Sequence, residues 1–596
     1  MELINGILQA EDDGLILEIM AKYPPYYKSS DRAKWPRING RLGVGGSGSG
    51  SNSLAFSDFT SSFTGINRTV INANGNQITL PAGVVAIDHV GTSLTPMLRV
   101  EPAAANILLE VLTSWTDTTL TPVLNATSWA GVANGAYTVT ASGANGTLMS
   151  SAVSATSAAF TFVCAIKRKT GTGAVSMTID NGATWTAKTL TTSFQYFNVT
   201  KTAANPQLGF KLATSGDAII VDCLMLIPNT ALASSYFAGA AAIGAELVTD
   251  GGFAAVVDNV GELATGVLTV GNCYKISAHT DTDFTTVGAP DSNVGTYFNA
   301  TATGGAGILD AGDKVFPVTF TNWTVESGLI FAPQATAGSL TGKASVSNTS
   351  GSTKVAYQAV ALSSSVNRYV STATITSGSY AFRTEFDGTL ASARHTATGT
   401  YYDYKIITGA YDNITLDFPT ISVMVLDDVS VKEHGTVRLS EANTVTLAMP
   451  AAVTAMLAAG TGTIVIKGRF AFARAAGVVT NILAATAATN SLVYTTTAAG
   501  NITSNDGTTI AENTGAYTAN TDWKIALKFP SDTDKYRIGI DVAGAGIVCG
   551  TEVAFDGDFT TGANLILGYV LHGATWIKWV KFFDKVLTND KINSLA

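Results

Sequence analysis

Short β-prone runs separated by turn residues recur along most of this chain, and they restrict its fold more than any other feature. From about residue 54 onward, runs rich in Val, Thr, Ile, Phe and Tyr are broken about every ten residues by Asn-Gly, Ser-Gly or Gly-Thr. Examples are GAYTVTASG, AAFTFVCAIKRK, GAVSMTIDNGATWTAKTL and SFQYFNVTK. Regularly spaced strands with turn residues between them predict an all-β protein of tandem antiparallel β-sandwich or jelly-roll domains.

Length and charge restrict the number of domains and the class of partner. A chain of 596 residues is too long for one core, since single domains usually hold about 100–200 residues. Charged residues make up 13% of the chain and the net charge is −9, whereas soluble domains usually carry about 25% charged residues. Lysines and arginines are scattered and form no basic stripe, so nucleic acid is not an expected partner.

The cysteines and the start of the chain exclude several further classes. Cys164, Cys223, Cys273 and Cys549 lie far apart in sequence, so neither a zinc site nor a disulfide scaffold is predicted. The first residues carry an acidic Glu2 and no basic segment before an apolar run. We therefore expect that the chain has no secretory signal and that it is synthesised in a cytoplasm. Because no run of about 18 apolar residues occurs, membrane insertion is not expected.

Motifs for chemistry are few. Gly43, Gly45 and Gly48 match the dinucleotide fingerprint, but no βα unit surrounds them, so no cofactor is predicted. The five histidines show no metal-ligand spacing, and no metal site or catalytic residue is predicted. Asp427 and Asp428 leave a structural calcium open as an alternative. A carboxylate pair of a glycosidase depends on a distance in space, so an enzyme also stays an alternative.

The first 53 residues differ from the rest. Leu15, Ile16, Ile19 and Met20 stand at helical spacing and predict a short helix with an apolar stripe. Gly and Ser then dominate residues 43–53, a composition typical of a flexible tether. We interpret this part as an anchor on a tether, whose stripe either self-associates or docks on another protein.

Two later parts of the chain repeat one pattern. DAIIVDCLMLIPN at 217–229 and ISVMVLDDVSVKE at 421–433 share an apolar strand and an aspartate, Asp222 or Asp427. With Trp129 and Trp323 near the start of each part, they predict two copies of one sandwich. Residues 266–315 interrupt the second copy, and such an insertion must lie in a surface loop.

Three stretches resemble known families. GVVAIDHVGTSLTPMLRVEPAAANILLEVLTSW at 83–115 resembles an element of bacteriophage structural proteins, with Glu101, Pro102, Asn106, Ile107 and Leu108 in its turn. The stretches ELVTDGGFAA, NWTVESG, AYQAVAL and LDDVSV resemble carbohydrate-binding modules of the jelly-roll type. The insert at 266–315 is similar to a small domain found in phage tail and fibre proteins.

The closing stretch resembles the last strand and helix of laminin-G or concanavalin-A-like lectin domains. The matching residues are Ile577, Val580, Phe582, Phe583, Asp584, Lys585, Leu587 and Ile592. A bulge after Ile577 is expected to turn Ile577, Val580 and Phe582 to the core and to leave Lys578 and Lys581 in solvent. Thr588 is expected to cap a short helix that Leu587, Ile592 and Leu595 hold against the sandwich.

These observations predict five parts. They are an N-terminal anchor and tether at 1–53, a β-rich connector at 54–100, a first jelly roll at 101–238, a second at 244–434 with the insert at about 266–315, and a lectin-like sandwich at 435–596.

The resemblances imply a structural bacteriophage virion protein of the tail-fibre or head-fibre type. It would be located in the virion, dock by its N-terminus on head, neck or tail proteins, and present its sandwiches to host cell-surface polysaccharide as a homotrimer without enzymatic activity. Tyr402, Tyr404 and Trp576 are the candidates for stacking on sugar rings, with Tyr401 beside them. A polysaccharide-degrading enzyme and a purely architectural decoration protein are the alternatives.

Overall fold

A computed structural model describes most of the chain and confirms the all-β class. The described residues are 3–4, 7–8, 15–20, 53–55, 60–61, 68–80, 84, 86–90, 95–101, 103–228, 236, 243–304, 308–310, 312–362, 365–384, 392–407, 411–438, 445–474, 480–484, 491–495, 500–506, 509–529, 535–555, 564–568 and 573–595. Among them, no helix is both long enough and apolar enough to cross a bilayer.

The described residues before the first sandwich form nine short strands. They are β1 Leu3–Ile4, β2 Ile7–Leu8, β3 Leu15–Met20, β4 Ser53–Ala55, β5 Thr60–Ser61, β6 Arg68–Ile71, β7 Gln77–Leu80, β8 Ile87–Val90 and β9 Thr95–Val100. The β6–β7 hairpin contacts the first sandwich through two hydrogen bonds. The backbone N–H of Gln77 donates to Trp129 O, and the indole N–H of Trp129 donates to Gly75 O.

The first sandwich follows, with a 3-10 helix at Leu112–Ser114. Its strands are β10 Ala104–Asn106, β11 Thr116–Thr118, β12 Leu120–Ala126, β13 Ala136–Ala141, β14 Gly146–Met149, β15 Ala158–Thr170, β16 Val175–Thr178, β17 Thr186–Lys188, β18 Gln195–Ala203, β19 Gly209–Leu212 and β20 Ala218–Pro228. One sheet has the order β12-β13-β20-β15-β18, and the facing sheet has the order β11-β14-β19-β16-β17. Their inner faces enclose an apolar core that includes Trp115, Phe162 and Phe210.

The second sandwich has the same plan, and its insert carries a 3-10 helix at Phe284–Val287. Its strands are β21 Ile243–Glu246, β22 Val256–Val257, β23 Cys273–Ala278, β24 Tyr297–Asn299, β25 Lys314–Phe320, β26 Thr324–Val325, β27 Leu329–Thr336, β28 Ser339–Asn348, β29 Lys354–Leu362, β30 Ser365–Ser377, β31 Ala381–Arg383, β32 Gly399–Ile407, β33 Tyr411–Phe418, β34 Ser422–His434 and β35 Thr436–Arg438. The sheets have the orders β27-β28-β34-β30-β32 and β26-β29-β33-β31.

The strand orders of the two sandwiches correspond, as the predicted duplication requires, except that β17 has no counterpart in the second sandwich. The repeated aspartates lie at the same irregularity of the central strands β20 and β34. Asp222 accepts from the N–H of Cys223, whose φ is 56°, and Asp427 accepts from the N–H of Asp428, whose φ is 51°. The tryptophan pairing differs from the prediction. Trp115, not Trp129, is the counterpart of Trp323, because each immediately precedes the first strand of its smaller sheet.

The insert forms a small sheet, β22-β25-β23-β24, with its own apolar cluster around Tyr274, Phe284 and Phe298. Its flanks meet where the N–H of Leu263 donates to Val315 O at 2.8 Å. The insert also contacts the β27–β28 hairpin, because the Asn299 amide donates to Pro333 O at 2.8 Å.

The last part of the chain is a third sandwich with two short helices. Its elements are β36 Val445–Ala448, α1 Ala451–Ala458, β37 Gly462–Phe470, β38 Thr480–Ala484, β39 Ser491–Thr495, β40 Ile502–Asn505, β41 Ile510–Asn513, β42 Asp522–Phe529, β43 Lys535–Val542, β44 Val548–Cys549, β45 Val553–Ala554, β46 Asn564–Leu567, β47 Thr575–Phe583 and α2 Asn589–Ser594. One sheet has the order β41-β40-β39-β38-β46-β36-β5, and the other runs through β3-β47-β37-β42-β43.

The expected local structure of the closing stretch is confirmed. The pairing of β47 with β37 shifts at Lys578, so Ile577, Val580 and Phe582 all face the core. Thr588 caps α2 by accepting from the Lys591 N–H, and Leu587, Ile592 and Leu595 pack beneath the helix. The side chains of Lys578 and Lys581 are half-buried rather than fully in solvent.

The predicted N-terminal helix is wrong. Leu15, Ile16, Ile19 and Met20 lie in strand β3, which pairs antiparallel with β47 and parallel with β4. A short run with one charged residue, Glu18, among apolar ones fits either helix or strand. Here the edge of β47 over Trp579–Phe583 supplies backbone partners that a helix could not use. The tether at 43–53 lies almost wholly outside the described residues. The boundaries of the five predicted parts stay a prediction.

Candidate functional site

Two of the predicted sugar-binding tyrosines lie where the two jelly rolls meet. Tyr404 is 7% exposed, and its hydroxyl donates to Ser154 O at 3.0 Å. Tyr402 is half-buried, and its backbone exchanges hydrogen bonds of 2.7 Å with Thr156. The prediction for Tyr404 is therefore wrong, because its ring is packed between the sandwiches. For Tyr402 it stays a prediction.

Trp576 is also buried, at 7% exposure, and the prediction that it stacks on sugar is wrong. Its indole N–H donates to Asp88 at 3.0 Å. Asp88 and Glu101 in turn hold the guanidinium of Arg99, at 3.2 and 3.0 Å. The aspartate of the β8 strand and the glutamate of the 101–108 turn thus join the connector to the last strand of the chain.

The aspartates that could be considered as metal ligands in the described residues make structural contacts within the fold. Asp427, considered for calcium, pairs with Lys343 at 3.2 Å. Asp281, Asp310 and Asp313 place carboxylate oxygens within 4.8 Å of one another in the insert. Asp313 accepts the backbone N–H groups of residues 280–282, and Asp310 accepts those of residues 312 and 313. These hydrogen bonds explain why the carboxylates lie close together, because they close the turn at 310–313 and join it to residues 280–282.

The best candidate site is a polar row on the outer face of the smaller sheet of the first sandwich. We call it the outer row. Its members share one face of neighbouring strands, because Thr118 pairs with Thr147, Thr147 with Lys211, and Lys211 with Ser176. Their neighbours in sequence, such as Leu148, Phe210 and Met177, fill the core, as the period of two requires.

An indole closes one end of the outer row. Trp185 precedes β17, and the Lys211 ammonium lies 6.0 Å from the centroid of its ring. At the other end, the hydroxyls of Thr118 and Thr147 are 2.8 Å apart. Thr118 is exposed, and Thr147, Ser176, Lys211 and Trp185 are half-buried. The row therefore offers hydroxyl donors and acceptors, one cation and part of an aromatic surface to a ligand on the sheet.

The turn between β16 and β17 fixes the position of Trp185. The Asp180 carboxylate accepts from the backbone N–H of Thr184 at 3.0 Å and from the Thr178 hydroxyl at 2.7 Å, and it pairs with Lys201. Burial alone would raise the pKa of Asp180, but hydrogen bonds from Lys201, Thr178 and Thr184 outweigh it and hold the pKa well below its usual range. The charged carboxylate thus locks the turn that carries the indole.

The second sandwich carries polar groups on the same face. Tyr357 pairs with Thr415, and Thr415 with Arg383, so one cross-strand row holds a phenol, a hydroxyl and a guanidinium. The buried Asp417 accepts from Arg383 at 2.6 Å and pairs with Arg394 at 2.5 Å. The two jelly rolls therefore present different chemistry at equivalent positions.

Sequence reasoning did not select Trp185, although it lies in the GATWTAKTL stretch. The available signal was a tryptophan three residues after an Asn-Gly pair and directly before a short edge strand. A period of two assigns alternate residues to two faces but does not say which face is the core, so the outer position of Trp185 needed the sheet pairing.

No protein-family model matches this sequence, and no curated protein matches it. Solved structures with local similarity include single carbohydrate-binding modules. The C-terminal CBM6 of the laminarinase LamC from Zobellia galactanivorans is 10% identical, covers 22% of this chain and 99% of its own, and has a TM-score of 0.16. The sialidase CBM40 of Ruminococcus gnavus, bound to α2,3-sialyllactose, is 17% identical, with coverages of 24% and 85% and a TM-score of 0.19. At such scores the similarities say nothing about a ligand of this chain.

Proposed function

We propose that the protein is a non-enzymatic, fibre-like appendage of a bacteriophage virion whose β-sandwiches bind cell-surface glycans. The outer row carries the binding part of this proposal, because it combines an accessible indole with hydroxyls and an ammonium on one open sheet face. The phage and virion part rests on the sequence resemblances at 83–115 and in the insert.

Glycan binding follows from the chemistry of the outer row. A pyranose ring presents an apolar C–H face that packs on an indole, and its hydroxyls need donors and acceptors beside that face. Trp185 supplies the first, and Lys211, Ser176 and Thr147 supply the second. The row lies on a rigid five-stranded sheet, so little conformational entropy is lost on binding.

The proposal is tested with Trp185→Ala and Lys211→Ala in the full chain. Binding to a glycan array and adsorption to host cells should fall about tenfold for each variant, as expected for one aromatic or charged contact. Lys169→Ala is the matched control, since Lys169 is exposed on the other sheet of the same sandwich. A blank array for the wild type would favour a decoration protein. New reducing ends from the polysaccharide would establish an enzyme instead.

The proposed appendage is a homotrimer that docks on other virion proteins. An open sheet face binds a sugar weakly, near ~1 mM, which corresponds to about −4 kcal/mol. Several copies on one particle raise the overall affinity by roughly 10²–10⁴. Since Leu15–Met20 is a strand of the last sandwich, it no longer offers a helical stripe for assembly. Light scattering of the full chain measures the oligomeric state. A monomer at micromolar concentration would contradict the trimer.

A further inference from the structure

A cavity of about 570 Å³ opens on the outer face of the third sandwich. Its walls come from the neighbouring strands β37, β42 and β43 and from the turns before β42 and after β43. The lining residues are Lys467, Asn520, Thr521, Asp522, Trp523, Lys524, Asp541, Ala543 and Gly544. Its volume lies within the range of about 300–1,000 Å³ that small-ligand sites occupy.

Lysines are concentrated at this cavity. Lys467 is the direct cross-strand neighbour of Lys524, and Lys578 flanks them at the bulge of β47. Like charges placed opposite each other in a sheet destabilise it. Burial, followed by the Lys578 and Lys524 ammonium groups, lowers the pKa of Lys467, and Asp522 only partly offsets this. The fold itself therefore gains nothing from bringing these cations together.

Among the described residues, Lys524 is the lysine of the three whose ammonium group has several hydrogen-bond acceptors from the fold. The Lys524 ammonium donates to the carbonyls of Ile592, Asn593 and Leu595 at 3.2, 2.8 and 2.8 Å, where it binds the carboxyl end of α2. Within the described chain, no carboxylate lies within 4.0 Å of the ammonium group of Lys467 or Lys578.

The two carboxylates of the cavity are already engaged. Asp522 accepts from two nitrogens of Arg469, at 2.8 and 2.6 Å. Asp541 is buried and accepts from the Gly546 N–H at 2.9 Å. Of the three lysines and Arg469 at the site, Arg469 is thus the one that pairs with a carboxylate within 4.0 Å in the described part of the chain. The charge that is missing is negative, and the space for it is large enough for a sugar unit.

We propose that this cavity binds an anionic sugar unit of an acidic polysaccharide, with Lys467 and Lys578 contacting its carboxylate or sulfate group. The inference extends the proposed glycan binding to the third sandwich but uses none of the outer-row residues. Asn520 and Thr521 at the rim are placed to contact the hydroxyls of the same unit.

The test uses the full chain and two matched pairs of ligands. Oligogalacturonate is compared with its methyl ester, and dextran sulfate with dextran, so each pair differs in charge on a common sugar backbone. The acidic member should bind more tightly, and its affinity should fall as NaCl screens the charges. Which pair responds identifies the anion. Equal affinity within both pairs would overturn the inference.

Variants separate the cavity from general charge. Lys467→Gln and Lys578→Gln should each weaken binding of the acidic ligand about 10- to 100-fold, the usual effect of losing a hydrogen bond to a charged group. Their melting temperatures should stay the same or rise, because a like-charge contact is removed. Lys535→Gln, on an exposed end of β43, is the control and should change nothing. Equal losses in all three variants would overturn the site.

The same measurements separate this inference from the proposed function. Trp185→Ala should reduce binding of neutral glycans and leave the preference for acidic ligands intact. Neutral binding without any acidic preference would leave the proposed function standing and refute the cavity. Acidic binding that depends on Lys467 would support the cavity even if no neutral glycan binds.

Discussion

Asn106 and Glu246 hold the same position in the two jelly rolls and make the same hydrogen bonds. Asn106 Oδ1 accepts from the N–H groups of Leu108 and Leu226, at 3.2 and 3.1 Å. Glu246 Oε1 accepts from Val248 and Val431, at 3.2 and 2.8 Å. In both sandwiches one side-chain oxygen therefore joins the segment that leads into the sandwich to the central strand, β20 or β34. The contact lies four residues after the aspartate of the repeated motif.

We expect Asn106→Ala to destabilise the first sandwich by about 1–3 kcal/mol, because two buried N–H groups lose their acceptor. Glu246→Ala should cost less than about 1 kcal/mol, since the Glu246 side chain is 36% exposed and water can replace it. Hydrogen exchange at Leu226 and Val431 measures the two effects in one molecule. Equal loss of protection would contradict this difference.

Arg99 should be the residue whose loss most weakens the attachment of the connector. Arg99→Met removes the cation that pairs with the buried carboxylates of Asp88 and Glu101, at a cost of about 3–5 kcal/mol. Chemical denaturation followed by tryptophan fluorescence measures it. The control is Arg537→Met, which removes a pair whose side chains are 33% and 32% exposed and should cost less than about 1 kcal/mol. Similar losses would show that the Arg99 contacts are not buried in solution.

His434 should make the junction of the two jelly rolls sensitive to acid. Burial, followed by Arg368, lowers the pKa of His434 from 6.5 to about 4, and its Nε2 lies 3.3 Å from Ile107 O. The unfolded chain therefore binds the proton more readily. Stability should be complete above pH 6.5 and decline by about 3 kcal/mol as the pH falls toward 4.

The variant His434→Gln removes this titration and keeps a hydrogen-bond donor at the junction. Its free energy of unfolding should change less between pH 7 and pH 5 than that of the wild type, measured by denaturation at each pH. The same slope in both proteins would assign the acid sensitivity to other groups.

The insert should be removable. Replacing 266–313 by a short Gly-Ser link should leave the second sandwich folded, because Leu263 and Val315 already pair at the flanks. The β27–β28 hairpin should lose some protection in hydrogen exchange, since Asn299 contacts Pro333 and Ala335. A large drop in the melting temperature of the sandwich would show that the insert belongs to its core.

The alternation of polar and apolar residues with turns between them predicted the β class, and the repeated aspartate motif predicted the duplicated sandwich. The bulge after Ile577 was expected from the resemblance of the closing stretch to lectin domains. These are local properties, because strand period, turn chemistry and cap residues act over a few neighbours. The role of the repeated aspartates is also local, since each accepts a hydrogen bond from the N–H of the next residue.

Contacts between distant residues decided the rest. Leu15–Met20 became a strand because the edge of β47 lies more than 500 residues away in sequence and supplies its backbone partners. Tyr404 and Trp576 look like ligand-binding aromatics in sequence, but Ser154 and Asp88 cover their polar ends. The outer row and the lysine cavity were likewise invisible, because cross-strand pairing assembles both from separate strands. The sequence thus determined the β class and the recurrence of strands and turns, and strand pairing decided the state of Leu15–Met20 and which side chains remained accessible to a ligand.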